Sequence, residues 1–313
     1  MNQPEIIKAI GEKYSALGEK PETYLKGLLQ SKPVNYWDYI EVDTLLSLQK
    51  PRTDFEDEEI FILYHQVTEL TLKLMLHEIK RAVKNELPSE EFLITRLKRL
   101  NRYTRMLINS FGIMKDGMDY DDYNTFRSAL SPASGFQSAQ FRYIELYCTP
   151  VENLLSDEGK QKVANADVEN YFEHIYWKSA GTNRTDGSKT LTLRQFEDKY
   201  QDGFIALAKK VKGKTLADRI SQVVNPGSEL MEQVREFDRL YNVEWPMVHL
   251  ETARHYLDKK GENKAATGSS EWKKYLHPAF QKRRFFPFAW SGHEIEQWGK
   301  PAESVEKSGV PVR

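Results

Sequence analysis

The chain has 313 residues, close to the upper size of a single hydrophobic core, so its length alone leaves the number of domains open. Its 45 Lys and Arg residues nearly balance its 46 Asp and Glu residues. The resulting net charge of -1 excludes a strong overall field for nucleic acid or an anionic membrane surface. With one cysteine, Cys148, the chain cannot form an intrachain disulfide, and it has no paired-cysteine motif for zinc or redox chemistry.

The N-terminal segment, MNQPEIIKAIGEKYSALG, carries Glu and Lys where a secretory signal peptide has an unbroken apolar run. No stretch of the sequence approaches the roughly 20 apolar residues of a membrane-spanning helix. These two features predict a cytoplasmic protein that does not act in a membrane.

The spacing of apolar residues is helical almost throughout, and strand-like alternation is nearly confined to KTLTLR at 189–194. This pattern predicts an all-α fold. The best-marked helix covers 57–84, with acidic side chains in its first turn and basic ones in its last, where each opposes the helix dipole. Its apolar residues cover most of the circumference, which predicts burial on several sides.

A second helix is predicted at about 89–114, with four basic side chains on its solvated side: Arg96, Lys98, Arg99 and Arg102. In SPASGFQS at 131–138, Ser134 and Gln137 have the spacing of a capping box. This segment is therefore predicted to be a tight loop that enters the next helix.

Further helices are predicted at about 151–178, 192–212, 215–224, 228–241 and 246–258, the last of them beginning at Pro246. We expect one domain over 1–313. Its N-terminal arm extends to about residue 41, and the tail at 301–313 is poor in apolar residues and therefore frayed.

The segment FILYHQVTEL at 61–70 places an imidazole, His65, in the middle of an apolar helix. Phe61 precedes it by four residues and shares its face, so the pair forms one wall of a pocket or lies in the core beside a neighbouring helix. In either case a buried imidazole needs a hydrogen-bond partner.

The other histidines show no spacing for a metal bound only by protein. None has Glu three residues before it, as a di-iron bundle requires, and no HExxH motif occurs. A single axial histidine for haem needs no such spacing. His249 is the best placed for that role, on a stripe with Trp245, Thr252 and Tyr256, but the stripe fits an ordinary core equally well.

Arg142 follows the loop at 131–138 and lies among apolar neighbours. An arginine in such surroundings pairs with a protein carboxylate, for example that of Glu145. The alternative is that its planar guanidinium grips the carboxylate of a ligand.

Five segments of the chain resemble the tryptophan 2,3-dioxygenase family. The longest is DYNTFRSALSPASGFQSAQFR, which is similar to the FRxxLSPASGFQSxQFR signature of that family. The other four are EIFILYHQVTELTLK, YWDYI at 36–40, WPMVH at 245–249 and ATGSS at 266–270. The resemblance extends over most of the chain and implies an all-α bundle that encloses a b-type haem.

The resemblance also implies roles for single residues. His249 would be the axial ligand of the haem iron, and His65 would accept a hydrogen bond from the indole N–H of the substrate. Phe61 would pack on the indole ring, and Arg142 would hold the substrate carboxylate.

In the same family resemblance, Tyr36, Tyr39 and Ile40 would reach the pocket of a neighbouring subunit in a homotetramer. Thr267 would help to close a loop over the amino-acid end of the substrate. The loop at 266–270 differs from the GTGGSSG of the family, so the role of Thr267 depends on how that loop aligns.

The activity implied by the resemblance is insertion of O2 across the indole C2–C3 bond of L-tryptophan to give N-formylkynurenine. The chain has Thr68, Thr71 and Ala129 where the family has Tyr, Trp and Tyr. These departures favour an alternative, a related haem oxygenase that acts on a substituted indole or another aromatic amino acid. A haem-binding helical protein without catalysis is the third alternative.

Overall fold

The structure is a computed structural model and describes residues 1–130, 135–163, 167–183, 186–258 and 272–300. It divides into two compact units, Met1–Lys50 and Pro51–Arg313. A single domain over the whole chain stays a prediction. The frayed tail that we predicted at 301–313 lies outside the described residues.

The N-terminal unit consists of four helices: α1 (Gln3–Ala16), α2 (Pro21–Gln30), α3 (Tyr36–Ile40) and α4 (Val42–Leu45). A capping box of Asn2 and Glu5 starts α1. The rings of Tyr14 and Tyr24 stack with their centroids 3.9 Å apart and join α1 to α2. Every residue of this unit is exposed or half-buried. A unit of this size that buries no side chain has no core of its own to stabilise it.

The second unit contains the core. In its described residues the helices are α5 (Asp57–Lys84), α6 (Glu90–Asp116), α7 (Tyr120–Phe126), α8 (Ala139–Cys148), α9 (Asp157–Lys162), α10 (Val168–Glu173), α11 (Leu191–Val211), α12 (Leu216–Ser221), α13 (Ser228–Arg239), α14 (Trp245–Leu257), α15 (Trp272–Leu276), α16 (Pro278–Gln281) and α17 (Gly292–Glu296). Across the described ranges the only strand-like pairings are two isolated bridges. The predicted all-α fold is confirmed. None of the described helices has both the length and the apolar character needed to cross a membrane.

The helices α5 and α6 form the centre of the unit, and both have the predicted bounds to within two residues. Ser89 caps α6 by accepting from the backbone N–H of Phe92. α5 also packs on α8, while α6 packs on α13 and α14. The core between them includes the fully buried Leu72, Leu93 and Cys148, and burial raises the pKa of the Cys148 thiol well above its usual value.

Two predictions about the surfaces of α5 and α6 are wrong. Arg96 is buried, and its Nη1 lies 2.5 Å from the Glu78 carboxylate, which Arg99 also contacts at 3.0 Å. The predicted solvated side of α6 therefore excludes Arg96, because α5 supplies a carboxylate there. The second wrong prediction is that α5 is buried on several sides. One apolar stripe of α5 is exposed in the single chain, and it consists of Leu63, Val67, Leu70 and Leu74.

The single helix predicted at 151–178 is also wrong. Its described residues form two short 3-10 turns and the helices α9 and α10. Ser156 interrupts the segment because its side chain accepts from the Gly159 N–H and starts α9. KTLTLR is not a strand either. Thr190 caps α11, since its hydroxyl accepts from the Leu193 N–H.

The predicted capping box of Ser134 and Gln137 stays a prediction, and α8 itself begins with another cap. Ser134 lies outside the described residues, and Ser138 starts α8 by accepting from the Phe141 N–H at 3.2 Å. The four predicted helices at 192–212, 215–224, 228–241 and 246–258 correspond to α11 through α14 and are confirmed.

A π turn over Leu240–Glu244 joins α13 to α14, and the backbone keeps helical angles throughout. In this turn the Trp245 N–H donates to the carbonyl of Leu240, five residues back. Pro246 explains the wider turn, because proline lacks an N–H and its ring would clash with the carbonyl four residues earlier. The prolines of other helices here stand at helix starts, whereas Pro246 lies within a continuous one.

We expect Leu97→Ala to lower the free energy of unfolding by about 2 to 5 kcal/mol, because Leu97 is fully buried between α6 and its neighbours. Leu87→Ala is the matched control: its side chain is 87% exposed, so the change should cost under about 0.5 kcal/mol. Urea unfolding of both variants measures the difference, and equal losses would contradict the core described here.

Candidate functional site

Phe61 and His65 lie on one face of α5 with their rings 4.2 Å apart. His65 Nδ1 is 2.7 Å from the Phe61 carbonyl oxygen. A carbonyl can only accept, so this contact fixes the proton of the neutral imidazole on Nδ1 and leaves the Nε2 lone pair free of a proton. The surrounding protein lowers the pKa of His65, while the Phe61 carbonyl and Glu69 act in the opposite direction. His65 is therefore a neutral group whose Nε2 can accept a hydrogen bond.

The second wall around Phe61 comes from α7. Tyr123 and Phe126 lie 6.1 Å and 5.9 Å from the Phe61 ring. Arg127 follows directly and donates a side-chain hydrogen bond to Tyr123. Burial raises the pKa of Tyr123, and the Arg127 charge opposes that effect. A half-buried guanidinium thus lies beside the aromatic wall.

His249 lies on α14 with its ring 5.5 Å from Phe111, which in turn contacts Tyr64 of α5. Desolvation by the protein lowers the pKa of His249 to about 4, and His65 adds to the shift. The His249 side chain is nevertheless accessible to solvent. His65 therefore lies close enough to His249 for the two imidazoles to act on each other electrostatically.

These residues would fit a haem whose iron is bound by one histidine. In the ranges that the structure describes, no group of three or more His, Cys, Asp or Glu side chains could hold a metal ion. A haem needs only one protein imidazole, and that imidazole must be unprotonated to bind iron. His249 meets this requirement at neutral pH because of its lowered pKa. The nearby rings of Phe111 and Tyr64 supply apolar surface of the kind that a porphyrin contacts.

Arg142 belongs to a different set of side chains. Its Nη1 donates to Glu145 at 3.1 Å and to the Tyr176 hydroxyl at 2.8 Å, and its guanidinium lies over the rings of Phe141 and Trp177. Burial acts to lower the pKa of Arg142, but Tyr176 and Glu145 raise it above its usual value. The structure therefore pairs Arg142 with a protein carboxylate, as the alternative to a ligand clamp predicted.

We call Arg142, Glu145, Tyr176 and Arg283 the Glu145 cluster. Arg283 donates to Glu145 at 2.6 Å, so one carboxylate lies between two guanidinium groups. A second buried carboxylate, Asp238, joins the same network because Asn242 bonds to both Arg283 and Asp238. Two positive and two negative charges are thus balanced, and a further carboxylate would carry uncompensated charge into the core.

The remaining predicted residues are spread over the chain. Tyr36, Tyr39 and Ile40 lie in α3 of the N-terminal unit and are exposed. Thr267 lies outside the described residues. The hydroxyl of Thr68 donates to the Tyr64 carbonyl at 3.0 Å, one helical turn back along α5.

Our sequence analysis missed Arg127 and Tyr123, although both lie within the longest quoted motif. Their spacing of four residues on a helix places the guanidinium and the phenol on one face. The spacing marks Arg127 as a candidate site residue. It does not distinguish Arg127 from Arg142, which belongs to the same motif and also has apolar neighbours.

Comparison with known proteins identifies the family of this chain. A family model described as tryptophan 2,3-dioxygenase matches residues 26–268. The chain belongs to the tryptophan 2,3-dioxygenase family. The tryptophan 2,3-dioxygenase of Ruegeria pomeroyi is 40% identical over 117 residues, which are 37% of this chain and 42% of that protein.

A second relative matches more of the chain at lower identity. The tryptophan 2,3-dioxygenase of Bacillus thuringiensis subsp. konkukian is 27% identical over 277 residues, 82% of this chain and 91% of that protein. The alignments with the Ruegeria pomeroyi and Polaromonas naphthalenivorans proteins span only 42% and 41% of those relatives. Membership of the tryptophan 2,3-dioxygenase family therefore rests on the family model, which covers most of the chain.

We expect His65 to be neutral at pH 7, with its proton on Nδ1, and to become charged only below its usual pKa of about 6.5, since burial lowers that pKa. NMR of ¹⁵N-histidine-labelled protein reports the tautomer and the titration, and His65→Gln assigns the signal. A proton on Nε2 at pH 7, or a pKa above 6.5, would contradict the arrangement.

Proposed function

We propose that this protein is a haem-dependent dioxygenase that converts L-tryptophan and O2 into N-formylkynurenine. The observation that carries the proposal is the pair of neutral imidazoles, His65 beside Phe61 and His249 beside Phe111, which act on each other electrostatically. Membership of the tryptophan 2,3-dioxygenase family supports the reaction. A haem b bound by His249 would supply the binding and activation of dioxygen.

The protein would bind and orient the indole. His65 Nε2 accepts the indole N–H, because its Nδ1 proton is committed to the Phe61 carbonyl. The Phe61 ring packs on the indole, and the flanking rings of Tyr123 and Phe126 limit its position. Fixing the ring and excluding water reduce the entropy and reorganisation that reaction requires. His65 acts in this proposal by positioning the substrate and holding its N–H.

For the substrate carboxylate we propose Arg127 rather than Arg142. Arg127 donates a hydrogen bond to Tyr123, and the Tyr123 ring lies near the Phe61 ring. When an indole packs on Phe61, the carboxylate of the same substrate molecule would therefore lie close to Arg127. Arg142 already pairs with Glu145 in a charge-balanced cluster. A guanidinium is suited to the role because it donates two parallel hydrogen bonds to a carboxylate.

The proposed assembly is a homotetramer in which Tyr36, Tyr39 and Ile40 of one subunit complete the pocket of another. In support, the N-terminal unit buries no side chain within the single chain, and α5 exposes an apolar stripe. Light scattering of the active protein tests the assembly, and an active monomer would exclude it. Thr267 keeps its proposed role in closing the loop over the substrate, and we place the enzyme in the cytoplasm.

One observation favours a related substrate as a second candidate. Thr68 follows His65 by three residues on α5 and is half-buried, and its hydroxyl bonds back to the helix. A short side chain at this point leaves room beside the indole for a ring substituent. The test compares kcat/KM for tryptophan and for ring-substituted tryptophans.

The proposed function is tested directly with haem-loaded protein, reduced under air and mixed with L-tryptophan. Formation of N-formylkynurenine, followed by its absorbance, supports the proposal. A haem-loaded protein without product would favour the second candidate or a haem protein that has no catalytic activity.

We expect His249→Ala to abolish stable haem incorporation, because the variant lacks the imidazole that would bind iron. Haem per chain after purification is the measurement. His255→Ala changes a histidine of the same helix and should leave the haem content near that of the wild type. If His249→Ala incorporates haem fully, a residue other than His249 binds the iron.

We expect Arg127→Ala to lower kcat/KM for tryptophan about a hundredfold or more, since two charge-assisted hydrogen bonds contribute on the order of 3 kcal/mol. Tryptamine lacks the carboxylate, so this variant should also lose most of the preference for tryptophan over tryptamine. The measurement is kcat/KM for both amines with wild type and variant at equal haem content.

Arg142→Ala is the control for the carboxylate. Breaking the Glu145 cluster should lower the melting temperature and leave the preference for tryptophan over tryptamine intact in the folded fraction. If only Arg142→Ala loses the preference for tryptophan over tryptamine, Arg142 and not Arg127 binds the substrate carboxylate.

A further inference from the structure

The π turn at Leu240–Glu244 leaves a backbone carbonyl without its usual helical partner. In a regular α-helix the Trp245 N–H would donate to Tyr241, but here it donates to Leu240. Pro246 has no N–H, so it cannot donate to a carbonyl of this turn either. A turn of this kind needs hydrogen-bond donors from outside the helix.

Arg283 supplies such a donor. Its Nη2 lies 3.5 Å from the Tyr241 carbonyl oxygen, and its Nε donates to the side-chain oxygen of Asn242. The guanidinium also lies over the Tyr241 ring, 5.5 Å from the centroid. Its remaining nitrogen is held by Glu145 at 2.6 Å. One buried side chain therefore contacts both the backbone and a side chain of the π turn.

Asp238 also binds the π turn, through Asn242. Its carboxylate accepts from the Phe285 N–H at 2.7 Å, from the Phe286 N–H at 3.2 Å and from Asn242 at 2.6 Å. The indole N–H of Trp290 adds a fourth bond at 2.8 Å. We call residues 283–290 the C-terminal clamp. The clamp is thus fixed to the last turn of α13 and to the π turn that follows it.

The π turn sets the direction of His249. Each residue of an α-helix turns it by about 100°, so a change of this turn to a regular α turn would rotate α14 by that angle relative to α13. His249 lies two turns after Asn242. Trp245 lies between these two residues along the helix, and its ring is 5.1 Å from the ring of Tyr241. We propose that Arg283, through Asn242 and the Tyr241 carbonyl, is a positioning residue that fixes the orientation of the His249 imidazole. This inference rests on the proposed role of His249 as the haem ligand.

The test uses Arg283→Lys in the full chain. Lysine keeps a positive charge beside Glu145 but cannot contact Glu145, Asn242 and Tyr241 together. Arg96→Lys is the matched control, because Arg96 on α6 is also buried and also pairs with a carboxylate, that of Glu78 on α5. Both variants should lose thermal stability.

The readouts separate positioning from general stability. In haem-free protein, amide hydrogen exchange at 240–249 should rise about tenfold in Arg283→Lys, the effect of losing one hydrogen bond to a charged group, and stay unchanged in Arg96→Lys. In haem-loaded protein, Arg283→Lys should release haem faster and shift the iron–histidine vibration of the ferrous state. Asn242→Ala removes the same contact from the helix side and should reproduce both changes.

Unchanged exchange at 240–249 in both folded Arg283→Lys and Asn242→Ala would overturn the inference, as would equal changes in Arg96→Lys. Failure of the wild type to bind haem would refute the proposed function instead. The exchange measurement on haem-free protein would then still decide whether Arg283 holds the π turn.

Discussion

A proline inside a continuous helix is the constraint on which the site depends. Pro246 cannot donate a backbone hydrogen bond, and the chain accommodates it with the π turn at Leu240–Glu244 rather than with a break. The helix that results extends from α13 through α14 and brings His249 close enough to His65 for the two imidazoles to act on each other electrostatically. A break at this point would have separated the imidazole from the packing of α13 on α6.

Desolvation gives the site its chemistry. Desolvation lowers the pKa of both His65 and His249, so the two imidazoles stay neutral at a pH where a fully hydrated imidazole is partly charged. Burial also acts on Arg142 and Arg283, which remain charged because the Glu145 carboxylate contacts both guanidinium groups. The charges of Arg142 and Arg283 thus lie together in the Glu145 cluster.

Much of the fold follows from local signals in the sequence, and the exceptions have physical reasons. α5 and α6 have charged ends and long apolar faces, which predict their bounds well. Arg96 was misplaced because the carboxylate that buries it belongs to another helix, which spacing within one helix cannot show. Phe61 and His65 were found together because they share a face of α5. Arg127 was missed because two arginines of one motif have similar local surroundings, and only tertiary contacts separate them.

The buried position of Cys148 makes this thiol a reporter of unfolding. Only the thiolate reacts with alkylating reagents, and the core both excludes such reagents and keeps the sulfur protonated. Labelling of the protein therefore requires opening of the α8 region, and its rate under native conditions measures how often that opening occurs. Because the chain has one cysteine, a single mass increment on the intact protein counts the opened molecules without an engineered probe.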